Sequence, residues 1–197
     1  MEKSMAAMDL ELWLIRHGET AWSLSGAHTG RTDIPLTDRG EARARKIQDY
    51  LRGKQFSLVL TSPLQRARDT CRIAGFGDAA QIDDDLREWD YGAYEGRTTK
   101  DIQKEVPGWS VWTGPIPDGE TLGHVAERAN RVIARAVAHG GKVALFAHGH
   151  ILRILAACWI QGKPVIGSRL ALGTGAVSTL GFEHETRVIT MWNRTPD

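Results

Sequence analysis

The sequence has few features that would direct it to a membrane, a nucleic acid or an oxidising compartment. Its 197 residues include only two cysteines, Cys71 and Cys158, which form neither a C-x-x-C pair nor a disulfide framework, as suits a reducing cytosol. The formal net charge of +1 argues against bulk attraction to nucleic acid or anionic lipid. No apolar run reaches the length of a membrane span, and the first residues, MEKSMAAMDLE, lack the hydrophobic core of a secretory signal. We therefore expect a cytoplasmic protein with neither a nucleic-acid partner nor a membrane partner.

Apolar segments that predict strands alternate with amphipathic segments that predict helices. The predicted strands span 10–15, 56–60 and 143–146, and two further β segments lie around 176–182 and 187–192. The predicted helices span 38–53, 62–73, 120–139 and 151–160, with Ser62 as an N-cap and Pro63 in the first helical position, and a short helical piece spans 98–106. This order predicts an α/β protein, a three-layer α/β/α sandwich with a mainly parallel central sheet. We expect residues 1–197 to form a single domain with a lid-like excursion at about 90–120.

Two of the predicted strands end in the same way. LWLIRHGET, residues 12–20, runs into Arg16 and His17, and KVALFAHGHILR, residues 142–153, runs into His148. Ligands of parallel α/β sheets bind outside the carboxyl ends of the strands. If the two strands are neighbours, their histidines meet at that edge, where Arg66 also emerges after another strand and a loop carrying Glu88 can reach over. The sequence thus predicts a pocket with two arginines, two histidines and one acid.

Such a pocket suits phosphoryl transfer. Two guanidinium groups match phosphate oxygens, and a histidine held among cations keeps one ring nitrogen unprotonated near neutral pH. We therefore take His17 as the nucleophile, with Arg16, Arg66 and His148 stabilising the charge on the transferred group. Glu88 is the candidate general acid, which could later accept a proton from water.

Four segments carry a family resemblance. RHGET at 16–20, TSPLQRARDT at 61–70, DLREWDYGAYEG at 85–96 and FAHGH at 146–150 resemble the phosphoglycerate mutase-like branch of the histidine phosphatase superfamily, in the same order and over almost the whole chain. The resemblance implies a phosphoglycerate mutase-like fold and a phosphohistidine at His17. It also implies that Arg16, Arg66 and His148 bind the phosphoryl group, that Glu88 donates a proton, and that the reaction needs no metal or organic cofactor.

Further residues are expected on the substrate side of the pocket, and the resemblance implies three of them, Ser23, Thr29 and Gly30. Some follow the RHG motif, some lie in the second His-Gly motif, and two basic residues follow the YGAYEG stretch as contacts for a second phosphate. The expected substrate-binding set is Ser23, Thr29, Gly30, Arg97, Lys100, Gly149 and His150.

The middle segment favours a phosphatase over a mutase. Cofactor-dependent mutases carry a longer, more basic insertion after the YGxxEG stretch, whereas few residues separate Gly96 from Thr121 here, and a shorter lid should hold the intermediate less well against water. Within the superfamily the chain also resembles sedoheptulose-1,7-bisphosphatases, although it is shorter after the AHGH helix. We therefore expect a metal-independent phosphatase for a small phosphorylated metabolite, most specifically a sugar bisphosphate such as sedoheptulose-1,7-bisphosphate. A phosphoglycerate mutase, a phosphoprotein phosphatase and a non-catalytic phosphate-binding module remain alternatives.

A metal site is the main structural alternative for part of this set. His148 and His150 form an H-x-H pair, and 83–85 is an acidic triplet. Alternating residues of a strand point to opposite faces, however, and acidic triplets are usually solvated turns. We therefore expect no metal.

Several aromatic and basic residues have no assigned role at this level. His150 and Arg153 are left between a substrate role and a structural role, and the predicted role of Trp109 and Trp112 is to pack the lid onto the core. The remaining histidines are expected to be exposed or locally bonded: His28, His124, His139 and His184. A homo-oligomer is left open, because the two C-terminal β segments could cover the sheet or pair with another subunit.

Overall fold

A computed structural model describes residues 10–197. Residues 1–9, on which the expectation of a missing secretory signal rests, lie outside the described part. The strands are β1 Glu11–Arg16, β2 Leu58–Thr61, β3 Ala80–Ile82, β4 Lys142–Ala147, β5 Val177–Glu183 and β6 Thr186–Arg194. The helices are α1 Ala21–Ser25, α2 Asp38–Leu51, α3 Gln65–Ile73, α4 Thr99–Glu105, α5 Leu122–His139 and α6 Gly149–Trp159. None of these helices combines the length and the apolarity needed to cross a bilayer.

All six strands form one sheet, in the order β3-β2-β4-β1-β5-β6. The first four strands are parallel, and β5 and β6 add an antiparallel hairpin at one edge. The predicted mainly parallel sheet is therefore confirmed. The central pair β1 and β4 is in register, with Arg16 opposite Ala147, so the next residues of both strands, His17 and His148, leave the sheet side by side.

The two faces of the sheet are buried by different helices, as the side-chain alternation of β1 illustrates. Leu12 and Leu14 point into the larger of two apolar clusters, which contains the inner faces of α5 and α6. Trp13 and Ile15 point into the other cluster, which includes Ile47 of α2 and the buried face of α3. Because helices cover both faces of the sheet, the apolar side chains of β1 are removed from water on both sides. The expected three-layer α/β/α sandwich is the observed architecture.

The segment around 90–120 packs against the same face as α5 and α6. Tyr94, Ile102 and Trp109 are buried within the larger cluster. The indole N–H of Trp109 donates to the carbonyl of Pro115 at 2.9 Å, which satisfies its polar group inside the core. Trp112 is half-buried and lies on the edge of this layer, next to the predicted pocket.

One local prediction is wrong. Ser62 and Pro63 do not open α3, which begins at Gln65 with Leu64 at the N-cap and no side-chain cap. The Ser62 hydroxyl accepts a hydrogen bond from the Leu64 amide at 3.3 Å and also bonds a ring nitrogen of His148 at 2.7 Å. A tertiary partner therefore replaces the helix cap. The five-residue α1 and the three-residue β3 were not predicted, because both are too short to carry a periodic signal.

Candidate active site

A cavity of about 170 Å³ opens at the carboxyl ends of β1 and β4. The residues around it come from the loop after β1, the loop before α4, and the first turns of α6. They are Arg16, His17, Ser23, Gly26, Ala27, His28, Thr29, Glu88, Tyr91, Gly149, His150 and Arg153. Most of the residues that line it are charged or polar, which suits an anionic ligand such as a phosphoryl group.

His17 is held as a neutral imidazole. Its Nδ1 lies 2.7 Å from the carbonyl oxygen of Gly18, and only a protonated Nδ1 can donate to a carbonyl, so Nε2 keeps its lone pair. Burial lowers the pKa of His17 well below its usual value, and the charges of Arg16 and Arg66 lower it further. The cavity wall thus carries an unprotonated, nucleophilic ring nitrogen.

Arg16 carries an unsatisfied donor beside this nucleophile. Its Nη1 donates to the carbonyl of Leu172, but its Nε is buried without a hydrogen-bond partner among residues 10–197. The guanidinium lies against Gly149, where an added Cβ would be 3.3 Å from Cζ, so only glycine leaves this approach free. A buried donor without a partner is costly, and the same guanidinium is one of the groups that line the cavity.

Arg66 and His148 lie behind the cavity wall, where Arg66 supplies a positive charge. Arg66 is fully buried, and its Nε donates to Nδ1 of His148 at 3.1 Å while both Nη atoms donate to carbonyl oxygens of the loop 29–32. Because Nδ1 of His148 accepts this bond, Nε2 carries the proton that is donated to Ser62. Burial, followed by the charge of Arg66, lowers the pKa of His148 well below its usual value. Arg66 therefore acts on the cavity chiefly through its charge, with one N–H unused.

The Glu88 carboxylate is clamped by backbone amides. Oε1 accepts from the N–H groups of Trp89 at 3.1 Å and Ile151 at 2.9 Å, and Oε2 accepts from that of His150 at 2.9 Å. Two of these amides belong to the first turn of α6, where the helix dipole also favours an anion. Burial alone would raise the pKa of Glu88, but attraction to the His150 side chain, 3.7 Å away, and the bond from the His150 amide lower it well below its usual range. Without substrate, Glu88 is a carboxylate.

Two aromatic rings, those of Tyr91 and His28, form another part of the cavity wall. The Tyr91 hydroxyl bonds Nδ1 of His150 at 2.7 Å, and the His28 ring lies 4.7 Å from the Tyr91 ring. We expected an exposed or locally bonded loop histidine, but His28 is buried, with 8% of its surface exposed. Burial and the nearby His150 lower its pKa to about 4. The sequence analysis identified neither His28 nor Tyr91 as part of the pocket. Tyr91 lies three residues after Glu88 in the DLREWDYGAYEG motif, which could have indicated it, whereas no sequence signal indicates His28.

Arg153 brings a third positive charge to the wall. Its Nε donates to the carbonyl of Gly167 at 2.9 Å and its Nη2 to that of Ser168 at 3.2 Å, while its guanidinium lies 4.6 Å from the centre of the Trp112 ring. It forms no ion pair with any carboxylate of the described residues, and burial lowers its pKa. This charge is fixed in place and is not neutralised.

The structure brings together most of the predicted site residues but not all. Ser23, Thr29, Gly149 and His150 line the cavity with Arg16, His17 and Glu88, whereas Arg66 and His148 are fully buried behind it. Arg97 instead pairs with Glu105 at 2.6 Å, and Lys100 is exposed outside the lining. Gly30 lies behind the wall, where its N–H donates to Glu95 at 2.8 Å.

The residues considered for a metal are otherwise engaged. Asp83 pairs with Arg135, and Asp85 pairs with Arg131. His148 and His150 bond Ser62 and Tyr91. Within 10–197, no three histidine, cysteine, aspartate or glutamate side chains converge as metal ligands.

A neutral histidine nucleophile, an unsatisfied arginine donor and a clamped carboxylate at the edge of a parallel sheet define a phosphoryl-transfer enzyme. Comparison with known proteins agrees with this class. The family described as "Histidine phosphatase superfamily (branch 1)" matches residues 12–195. The chain therefore belongs to this superfamily, and it is a phosphatase.

Similar proteins cover nearly all of the chain. An acid phosphatase of Mycobacterium tuberculosis is 38% identical over 195 residues, which are 97% of this chain and 96% of that protein. A sedoheptulose 1,7-bisphosphatase of Saccharomyces cerevisiae is 37% identical over 179 residues, covering 74% of this chain and 66% of the yeast protein. A solved structure of an M. tuberculosis open reading frame product superposes with a TM-score of 0.91 at 38% identity, covering 96% of this chain and all of that one.

Proposed function

We propose that this protein hydrolyses phosphomonoesters of small metabolites through a phosphohistidine at His17, without a metal, and that its substrate is a sugar bisphosphate such as sedoheptulose-1,7-bisphosphate. The observation that carries this proposal is the presence, on one cavity wall, of the free Nε2 of His17 and the guanidinium of Arg16. The first is the group that attacks phosphorus, and the second is a donor for the phosphoryl oxygen beside it.

The charge balance of the cavity supports a dianionic ligand. Three arginines, Arg16, Arg66 and Arg153, surround one carboxylate, that of Glu88, and the histidines whose pKa values are lowered add no charge. An anionic ligand offsets this excess of positive charge, with the transferred phosphoryl group near Arg16 and Arg66 and a second anionic group near Arg153. The same array would stabilise the charge spread over the equatorial oxygens in the transition state.

The reaction has two steps. Nε2 of His17 attacks phosphorus as the bond to the leaving oxygen breaks, and the protonated Glu88 carboxyl donates its proton to that oxygen. A water molecule then attacks the phosphohistidine, Glu88 accepts its proton, and the bond between phosphorus and Nε2 breaks to release phosphate. Nε2 regains its lone pair and Glu88 its proton, and Glu88 gives up this proton to solvent once phosphate has left, so the free enzyme is restored.

The acid role of Glu88 requires a change on binding, since the free enzyme holds it as a carboxylate. A phosphoryl dianion in the cavity lies close to this carboxylate, and like charges disfavour ionisation of the acid. Bound substrate therefore raises the pKa of Glu88 and loads it with the proton that it donates. Glu88 and the substrate share this proton as a coupled pair.

Arg153 supports a second anionic group on the substrate. It has an unneutralised charge on the cavity wall, held by two carbonyls and the Trp112 ring. We assign to it the second-phosphate contact that the sequence had suggested for Arg97 and Lys100, because these two lie outside the lining. The name of the yeast relative, sedoheptulose 1,7-bisphosphatase, favours the same substrate class.

The test is phosphate release by the purified protein in excess EDTA. Sedoheptulose-1,7-bisphosphate, fructose-1,6-bisphosphate, 3-phosphoglycerate and p-nitrophenyl phosphate are offered in parallel, with His17→Ala as the inactive control. We expect release from the bisphosphates, no release by the variant, and an acid-labile phosphoprotein after quenching with labelled substrate. Conversion of 3-phosphoglycerate without net phosphate release would support the mutase alternative, and tight phosphate binding without turnover would support the binding module.

Two matched arginine variants test the substrate class. Arg153→Gln should lower kcat/KM for bisphosphates about 10-fold more than for p-nitrophenyl phosphate, since it removes a charged contact to the second phosphate. Arg97→Gln, which removes an arginine outside the lining, should change both substrates equally little. The opposite pattern would return the second-phosphate site to Arg97.

We place this reaction in the cytoplasm. Cys71 and Cys158 are both free thiols, and burial raises the pKa of Cys71 to about 12, which keeps this thiol unreactive. Two unpaired thiols in one chain fit a reducing compartment. A homo-oligomer stays a prediction.

A further inference from the structure

The loop that carries Glu88 is held from behind by one arginine of α5. Arg128 Nη1 donates to the carbonyl oxygens of Asp85 at 2.8 Å and Arg87 at 2.9 Å, and its Nη2 lies 3.4 Å from that of Glu88 itself. Apart from a short 3₁₀ turn at Asp84–Leu86, this stretch has no regular structure. Side-chain bonds to its backbone therefore set the path of the chain at Glu88.

Glu120 fixes Arg128 and holds the other side of the same loop. Its two carboxylate oxygens accept from Nε and Nη2 of Arg128 at 2.8 and 2.7 Å, a bidentate pair. The carboxylate also accepts from the backbone N–H of Asp90 at 3.0 Å, and the Glu120 carbonyl accepts from the Trp89 indole at 2.8 Å. The pair thus contacts the chain on both sides of Glu88, and its side chains are only 12% and 21% exposed.

We propose that Arg128, oriented by Glu120, is a positioning residue: it keeps the Glu88 carboxyl group at the leaving oxygen during proton transfer. This inference rests on the proposed function, because it needs Glu88 to act as the general acid. Arg128 itself contacts no cavity atom.

We call the Arg128–Glu120 pair, with its bonds to the main chain around Glu88, the backbone clamp. The catalytic cycle makes this clamp necessary. As a carboxylate, Glu88 is held by three charge-assisted bonds from amide N–H groups. Once protonated it accepts these bonds more weakly, so side-chain contacts alone would let it move at the moment when it must donate. The bonds from Arg128 go to main-chain carbonyls, which do not change with the protonation of Glu88. A displacement of about 1 Å can reduce catalysis about 100-fold.

The clamp also keeps its charge. Burial alone would raise the pKa of Glu120, but its hydrogen bonds and attraction to Arg128 lower it below the usual value. The pair is therefore ionised near neutral pH, where substrate binding gives Glu88 its proton.

The experiment compares leaving groups in two arginine variants of the same helix. Arg128→Gln removes the clamp. Arg131→Gln is the matched control, because Arg131 lies one turn further on and binds the side-chain carboxylate of Asp85, at 2.9 and 2.7 Å, and not the main chain. The substrates are p-nitrophenyl phosphate, whose leaving phenolate needs no proton, and glycerol 2-phosphate, whose leaving alkoxide does. We expect Arg128→Gln to lower kcat for the alkyl substrate at least about 10-fold more than for the aryl substrate. Arg131→Gln should leave the ratio of the two rates as in the wild type.

Two further variants separate positioning from a loss of folding. Glu120→Gln keeps the size of the side chain and one acceptor, and should shift the rate ratio in the same direction in a protein that still melts cooperatively. In the Glu88→Gln background, adding Arg128→Gln should cause no further loss on the alkyl substrate, because the group being positioned is gone.

An equal loss on both substrates, or a further loss in the double variant, would overturn the positioning role. Neither result touches the proposed phosphatase function, since that depends on His17→Ala abolishing turnover of both substrates.

Discussion

Gly30 illustrates how a residue expected to contact substrate can serve the site by the path of its backbone. Its N–H donates to Glu95, and its carbonyl is one of the oxygens that hold the Arg66 guanidinium. A Cβ at this position would lie 2.5 Å from the Trp89 carbonyl oxygen and 2.7 Å from the Glu95 carboxylate. Since the first of these is backbone, the loop would have to move to make room.

We therefore expect Gly30→Ala to weaken both folding and catalysis. Overpacking of this kind costs about 1–3 kcal/mol in the free energy of unfolding, and a displaced Arg66 should lower kcat/KM about 10-fold or more. Urea unfolding and p-nitrophenyl phosphate kinetics measure the two effects. The control is Gly123→Ala in α5, where the nearest atom to an added Cβ is the Thr121 hydroxyl oxygen at 3.6 Å; alanine there should preserve or slightly raise stability. Wild-type kinetics in Gly30→Ala would contradict the role given to this loop.

At the scale of elements, the sequence predicted what depends on local pattern. β1 and β4 carry continuous apolar runs because helices cover both faces of the sheet, so their position and their shared end could be anticipated. The end of α3 could be anticipated for similar reasons, but its start could not. A serine followed by proline looks like a helix cap, and only the folded chain shows that the Ser62 hydroxyl bonds His148, 86 residues away.

The sequence likewise predicts the part of the candidate site that follows the strands, but not the part that comes from irregular loops. Arg16, His17, Arg66, Glu88 and His148 lie in the motifs that follow strands, and topology alone brings these ends together. The far wall comes from irregular loops, where no periodicity indicates which side chain turns inward. Sequence reasoning therefore selected Arg97, which turns outward to Glu105, and passed over His28, which turns inward.

The N-cap of α5 gives a prediction at this scale. The Thr121 hydroxyl accepts from the His124 amide at 3.2 Å, and its loss in Thr121→Ala should cost about 1 kcal/mol of stability. The helix continues to present Arg128, so the ratio of alkyl to aryl phosphate turnover should stay at the wild-type value. Thermal unfolding and the two-substrate assay provide the measurements. A shifted ratio would mean that general weakening of α5 moves Glu88, and that the clamp is not specific.

For the whole molecule, the site makes folding sensitive to pH. His17, His28 and His148 are buried and all have lowered pKa values, chiefly through burial. In the unfolded chain each takes up a proton near pH 6.5, whereas in the folded protein each stays neutral to lower pH. The unfolded state therefore binds more protons below pH 6.5, and stability falls as the pH falls. The lowered pKa of Glu88 adds to this only below its unfolded value of 4.5.

His28 allows this linkage to be measured on a single group, because its pKa of about 4 sets the lower end of the window. Between pH 7 and pH 5 it should contribute a loss of about 2 kcal/mol in the free energy of unfolding, which follows from the gap of about 1.5 pH units below 6.5. In His28→Gln the loss over this range should be smaller by that amount, even if the variant is less stable at pH 7. His124→Gln, at an exposed position, should keep the wild-type slope. Urea unfolding at half-unit steps of pH provides the measurement for all three proteins. An unchanged slope in His28→Gln would mean that His28 already takes up its proton in the folded protein. The cavity would then carry more positive charge than the burial of His28 implies.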